Sequence, residues 1–520
     1  MNTARRTFLQ WTLGVAALPV LSRSGVAQVQ SDAISIEEVT IADLLAAYMT
    51  GRTSARAVTK AHLDRIAAYD KRGPLLNSLI TINPRALEDA DRLDTALRAT
   101  GRPVGALHGI PVVVKDCVDV AGLPMTAGFQ GWKDYYPPED ALIIRKIRAA
   151  GGIIIAKSSL SEFTRGSEDN INSILPGFAR NPYNTAFATG GSSGGTGAAL
   201  AANFAVVGVG TDTGGSVRMP SAHNALAGLR PTVGLISRTG MTPNNSIRDT
   251  PGPMARTMTD MTVLLDVIVG PDPQDPATAR ADGHRPPTYS TALRTDALKG
   301  ARLGVLRQAF RPNQTDPRII EQFAATLGEL RNAGAEIVDP LDVPLLDTVP
   351  TPPQTPARFK DDLNTWIAKR PGVPLPSVAE IAQSRLVHPL IQPQFNEAAA
   401  AKPVEEDSAT IEGLKNEQRY RDAFTAAMDA ARVDAVILPT FRHLPVINGD
   451  RRQSTSLTMI ASALQWPAIS VPRGFLGEGL PQGLQIIGRA WEESKIIGYA
   501  FAYEQSTHHR RPPTLPPMNL

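Results

Sequence analysis

Two short stretches of this 520-residue chain, together with one lysine, carry residue types that could do covalent chemistry, and all lie between residues 109 and 218. Gly190-Gly-Ser-Ser-Gly-Gly-Thr-Gly197 runs into a small-residue stretch at 198–202. Bare backbone at a helix N-terminus is a ready anion site, so a phosphate cradle is one reading. No Lys-Ser or Lys-Thr follows at P-loop spacing, and the nearest match, Gly151-Gly-Ile-Ile-Ile-Ala-Lys-Ser158, has the middle of a buried strand. The stretch also contains Gly191-Ser-Ser-Gly-Gly195, which formally satisfies the G-x-S-x-G nucleophile elbow. That elbow needs an apolar strand before it and a histidine after it. Residues 182–189 are no such strand, and His223, His284, His388, His443, His508 and His509 stand in no setting that singles one out. The next stretch, Gly210-Thr-Asp-Thr-Gly-Gly-Ser-Val-Arg218, follows the apolar run 205–209. Its paired glycines permit a turn that presents Ser216 and gathers backbone N–H groups at one point, as an oxyanion hole requires. An ordinary glycine turn would look the same. Finally, Lys115 closes the apolar run 110–114. Burial there would bring it down from ~10.4 towards neutrality, whereas a solvated strand end would leave it charged.

The order of the motifs is more specific than any one of them. Gly109-Ile-Pro-Val-Val-Val-Lys-Asp116 and the two glycine-serine loops are followed by Gly228-Leu-Arg-Pro-Thr232 and Asp249-Thr-Pro-Gly-Pro-Met-Ala-Arg256. Pro467-Ala-Ile-Ser-Val-Pro472 and Gly479-Leu-Pro-Gln-Gly-Leu-Gln-Ile-Ile-Gly488 come last. From about residue 36 to 505 the chain resembles the amidase signature family, whose members hydrolyse carboxamides with a Ser–cis-Ser–Lys triad. The resemblance implies Ser216 as nucleophile, Ser192 as the bridging serine behind a cis peptide bond, and Lys115 as base. It implies an oxyanion hole built from the backbone N–H groups of Thr213, Gly214, Gly215 and Ser216. Asp212 and Arg218 would brace the nucleophile loop, and Ser193 would steady Ser192. Thr126, Ala127, Gly128 and Phe129 match a region that lines the acyl pocket in relatives.

The implied reaction is hydrolysis of a carboxamide C–N bond through a Ser216 acyl-enzyme, releasing a carboxylic acid and ammonia or an amine. It calls for no cofactor and no metal. Ester or aryl-acylamide hydrolysis on the same triad, a transamidase component that works on aminoacyl-tRNA, and a catalytically silent binding protein are the alternatives. The chain departs from the family pattern at His223 and Asn224, at Ser462 and Gln465, where members often carry Asn and Gly, and at Trp466. Those changes bear on substrate and not on the triad. Cys117, two residues from Lys115, reads as structural because no glutamate is placed to complete a Cys–Lys–Glu set.

The elements that must position these residues follow from the pattern of apolar runs. Short β-branched runs at 110–114, 152–156, 205–209, 303–305, 435–438 and 468–471 alternate with helical stretches such as 141–150 and 257–269. Near-continuous apolar strands between helices imply a sheet covered on both faces. The expected fold is α/β, a single large α/β/α layered domain around a mixed sheet. Ahead of it, Thr40 with Asp43 reads as a capping box, Gly51 as a stop and Ser54 as the start of a second helix. Residues 28–105 are therefore a helical flank, 106–300 the catalytic core, 301–430 a variable substrate or lid region, and 431–510 a return to the sheet. The Pro-rich 340–376 and the small-residue tract 398–401 read as an irregular excursion shaping the leaving-group side.

Residues 1–27 read as an address. Arg5-Arg6 precedes Thr7-Phe8-Leu9, an apolar run over 11–21 and the small residues Gly25-Val26-Ala27. The run is too short to span a bilayer, and the arginine pair resembles a twin-arginine export signal, which sends the protein to the periplasm without a stable membrane anchor. Arg5, Arg6 and Arg23 account for the whole net charge of +3, so the remainder is formally neutral. Neutrality gives nucleic-acid binding no electrostatic support. A single cysteine excludes a disulfide framework and a Cys-based zinc cluster. The expected partner is a small-molecule amide, with the chain a monomer or homodimer.

Overall fold

The computed structural model describes residues 35–165, 170–349, 351–352, 354–450 and 455–516, so the signal read at 1–27 lies outside the described residues. The chain opens with two helices whose ends follow from their caps. In Ile41–Met49 the Thr40 hydroxyl accepts from the Asp43 N–H while the Asp43 carboxylate accepts from the Thr40 N–H, which satisfies two otherwise unpaired donors. Ser54 caps Ala55–Tyr69 with a single bond, its hydroxyl accepting from the Ala57 N–H. The buried stripe of that helix is more polar than its sequence suggests. His62 and Arg65 are buried beside Val58 and Ile66, because they reach the Asn203 and Ala202 carbonyls at 3.0 and 2.6 Å.

Eleven strands then form one mixed sheet. In chain order they are β1 Leu79–Ile82, β2 Pro111–Lys115, β3 Ile153–Ser158, β4 Val207–Asp212, β5 Ala227–Arg230, β6 Thr250–Ala255, β7 Arg302–Val305, β8 Glu336–Val338, β9 Ala435–Pro439, β10 Ala468–Leu476 and β11 Leu480–Ile487. Their spatial order is β1-β3-β2-β4-β6-β5-β10-β11-β9-β7-β8. The β3-β2-β4 block and the β9-β7-β8 block are parallel, and the strands between them are antiparallel. Every residue of β2, β3, β4, β6, β9 and β11 is buried, which requires cover on both faces of the sheet. The expected α/β layering is what forms.

Two boundaries differ from expectation. β7 and β8 lie in the sheet, so 301–338 belongs to the core and not to a variable region. The segment read as an irregular excursion at 340–376 contains the helix Pro356–Ala368, the tract at 398–401 is entered by the helix Gln392–Ala400, and the helix Val378–Ser384 lies between them. Phe359, Leu363, Ile381 and Phe395 from these helices pack with Phe129, Trp132 and Phe163 into a second apolar core, separate from the sheet's own. Prolines at helix starts, such as Pro356 behind the Thr355 cap, punctuate the sequence without breaking the helices. No helix among the described residues is long and apolar enough to cross a membrane.

Candidate active site

Lys115 ends β2 and Asp212 ends β4, neighbouring parallel strands in register from Val112 opposite Val207 to Val114 opposite Val209. Parallel pairing puts both strand ends at the same edge, where their side chains can meet. Lys115 is fully buried, and its Nζ lies 2.7 Å from Ser192 Oγ and 2.8 Å from Thr211 Oγ1. Burial pushes its pKa down to about 8, although Cys117, Asp212 and Asp249 pull the other way. Ser192 follows a cis Gly191–Ser192 peptide bond, and its carbonyl accepts from Asn170 Nδ2 and the Ser161 N–H, both at 3.1 Å. The helix Gly194–Ala201 that follows is wholly buried. A Cβ on Gly195 would lie 2.4 Å from the carbonyl oxygens of Ser78 and Ser159, so only glycine lets this loop close.

Ser216 joins the same cluster through the backbone, its carbonyl accepting from the Ser193 N–H at 3.2 Å. It is half-buried, and its hydroxyl makes no hydrogen bond to the described residues. Asp212 shapes its loop. The carboxylate accepts from the N–H groups of Gly215 at 2.8 Å and Val217 at 3.2 Å, and from both Arg218 and Arg230. Burial alone would raise the pKa of Asp212, but the two arginines hold it well below the usual carboxylate range. Gly215 has φ +128° and packs against Thr458, whose hydroxyl donates to the Gly214 carbonyl at 2.7 Å.

The loop therefore differs in one respect from the expected oxyanion hole. The Gly215 N–H is engaged by Asp212, while those of Thr213, Gly214 and Ser216 have no acceptor among the described residues. Ser193 also acts elsewhere than expected: its hydroxyl bonds the Thr211 N–H and carbonyl at 3.2 and 3.3 Å, fixing the end of β4.

A family model described as Amidase matches residues 57–497. The chain belongs to the amidase family. It is 32% identical over 503 residues to a glutamyl-tRNA(Gln) amidotransferase subunit of Salinispora arenicola, covering 93% of this chain and 100% of that one. Its fold is similar to the peptide amidase of Stenotrophomonas maltophilia, at 35% identity and a TM-score of 0.82 over 92% of this chain and 99% of that one. An amidase family protein of Bacillus anthracis gives 28% identity and a TM-score of 0.82, with 92% and 93% covered. The chain is accordingly an enzyme of amide C–N bond chemistry.

Within this amidase the remaining expected residues fall into place unevenly. Thr126 bonds the buried Asp116 carboxylate, which also pairs with Lys157 at 2.7 Å, while the Ala127 carbonyl accepts from the Phe163 N–H. Phe129 packs on Trp132 and Phe163 in the second core, so this segment joins that core to the Lys115 strand. Ser462 accepts from Arg218 Nη2 at 2.9 Å and so belongs to the loop's brace. His223 is buried, stacked on Phe441, and burial pushes it down to about 3, which makes it a neutral packing group. Cys117 is buried 3.8 Å from Thr211 Oγ1, and burial pushes its thiol up, away from thiolate. Sequence reasoning missed Thr211, Arg230 and Asp249. All three lie inside the family motifs without being singled out there, and Asp249 takes the Thr213 hydroxyl.

Proposed function

We propose that this chain is an exported hydrolase of linear amides that works through a Ser216 acyl-enzyme, with Ser192 as proton relay and Lys115 as base. The observation that carries the reading is the 2.7 Å contact of a fully buried lysine with Ser192 Oγ, tied through Ser193 to a half-exposed Ser216. A serine hydroxyl is a poor nucleophile until a base takes its proton. Neutral Lys115 takes the Ser192 proton as Ser192 takes that of Ser216, and Ser216 Oγ attacks the amide carbonyl. The unengaged N–H groups of Thr213, Gly214 and Ser216 hold the developing oxyanion, already oriented before the charge appears. The relay then returns the proton to the departing ammonia or amine, and water hydrolyses the ester. Esters enter the same cycle as a side activity.

The test is a panel of aliphatic, aromatic, peptide-amide and ester substrates with the purified chain, read as ammonia or amine release, beside fluorophosphonate labelling. Ser216→Ala is expected to abolish both turnover and label while circular dichroism stays unchanged. Turnover that survives in the folded variant overturns the assignment. The amidotransferase relatives favour a second reading, in which the chain works only together with other proteins; ammonia release by the chain alone separates the two. Export rests on Arg5-Arg6 and the apolar run behind them. A reporter fused to residues 1–35 is expected to leave the cytoplasm, and to stay there when both arginines become lysine.

A further inference from the structure

Arg165 ends the segment whose first residue, Ser161, donates its N–H to the Ser192 carbonyl. Phe163 and Thr164 both hold positive φ, 51° and 58°, a sparsely populated geometry for such residues that fixes where Arg165 leaves the backbone. Its guanidinium lies 4.2 Å from the centre of the Phe359 ring. Nη1 donates to Asn244 Oδ1 and Nε to Gln394 Oε1, each at 3.2 Å. Both acceptors are neutral amides. No carboxylate among the described residues reaches ion-pair distance of Arg165, and Nη2 has no acceptor among them, nor is it sealed off from solvent. Arg165 is half-buried, whereas Arg218 and Arg230 are fully buried and share the Asp212 carboxylate. Burial pushes Arg165 down to about 10, which leaves it cationic at neutral pH. The Glu397 carboxylate acts on it electrostatically without forming an ion pair, so this partly desolvated cation still gains from an anion at its free edge.

The place of that charge ties it to the reaction. Asn244, which accepts from Arg165, gives its N–H to Asp249 at 2.8 Å, and Asp249 holds the Thr213 hydroxyl. The Asn244 side-chain amide reaches Gln354 Oε1 at 3.4 Å. A Cβ on Gly214 would in turn lie 2.9 Å from Gln354 Nε2. Arg165 is thus separated from the Thr213–Gly214 loop by two side chains on each route. We infer that Arg165 is a specificity-determining residue whose free edge binds a carboxylate carried by the substrate a few bonds from the scissile amide. With Phe359 under its face and two edge positions taken by neutral amides, the guanidinium offers Nη2 to an acceptor in its own plane. A planar carboxylate suits that geometry. The inference rests on the amidase reading and names its substrate class, namely acyl amides with a carboxylated acyl or amine portion.

The experiment compares charged amides with methyl-ketone isosteres in the full chain. Succinamate against 4-oxopentanamide places the carboxylate on the acyl side, and N-butyrylglycine against its methyl-ketone analogue places it on the leaving side. At least one charged member is expected to be preferred, and Arg165→Gln is expected to lower that charged-to-neutral ratio of kcat/KM about 30-fold, mainly through KM. Arg165→Lys, which keeps the charge, is expected to retain part of the preference and covers the case in which the glutamine variant does not fold. No preference in the wild type, or a ratio unmoved by Arg165→Gln, overturns the subsite and leaves the amidase reading standing. If none of the four compounds releases ammonia or amine, the amidase reading fails for this class. Calorimetric binding of succinate then decides the subsite alone: heat lost in Arg165→Gln supports it, and absent or unchanged binding overturns it.

Discussion

The two cores of this enzyme are built on opposite principles. Around the ends of β2 and β4, buried polar and charged side chains are linked to one another: Lys115 to Ser192 and Thr211, and Asp212 to Arg218 and Arg230. In the second core, Phe129, Trp132, Phe163, Phe359 and Phe395 meet through ring edges and faces, with centroids 4.9 to 6.1 Å apart. The first region gains little net stability from burying its charges and holds a fixed electrostatic arrangement instead. The second gains stability in proportion to apolar area and tolerates exchange of one side chain for another of like volume. Reactivity is therefore vested where substitution is least forgiving, and the second core is where it is most forgiving.

That contrast can be broken or sharpened by substitution. The largest effect is expected from Lys115→Ala, a loss of about 10³-fold in kcat for any amide, with the fold retained. Near-normal turnover in that variant would remove the base from the scheme. Asp212→Asn strips both buried arginines of their partner and is expected to destabilise the protein by about 4 kcal/mol, read as a fall in the denaturant midpoint. An unchanged midpoint would mean that the charges at β4 are less enclosed than drawn. Phe395→Ala is expected to cost about 3 kcal/mol in stability and to raise KM more than it lowers kcat. A collapse of kcat there would erase the distinction between the cores. The gentlest effect is a pH profile. Lys115 must be neutral to act and burial brings it to about 8, so kcat/KM is expected to rise with pH through 8 and to fall about tenfold per unit below it. A flat profile between pH 6 and 9 would contradict the buried-lysine base.

Much of this was legible in the sequence wherever one local pattern decides the outcome. Six apolar runs match β2, β3, β4, β7, β9 and β10, and Thr40 and Ser54 start their helices as read. Strand β6, Thr250-Pro-Gly-Pro-Met-Ala255, was invisible because two prolines and a glycine argue against a strand. Its pairing with β4 on one side and β5 on the other overrides that propensity. The second core was hidden for a related reason: its helices are short and opened by prolines, so no single window shows a sustained period. Among site residues, the resemblance carried Lys115, Ser192 and Ser216, whose spacing lies within recognisable motifs. Asp249 and Arg165 depend on contacts across scores of residues, Thr213 to Asp249 and Arg165 to Asn244, which no local pattern encodes.

The chain's one thiol sits beside the buried lysine, with its sulfur enclosed. A disulfide reagent added to the native enzyme would find nothing to react with, and each molecule that opened its catalytic edge would release one chromophore equivalent. Cys117 thus works as a built-in clock for the opening of this site, timing it without an introduced label and separately from loss of activity.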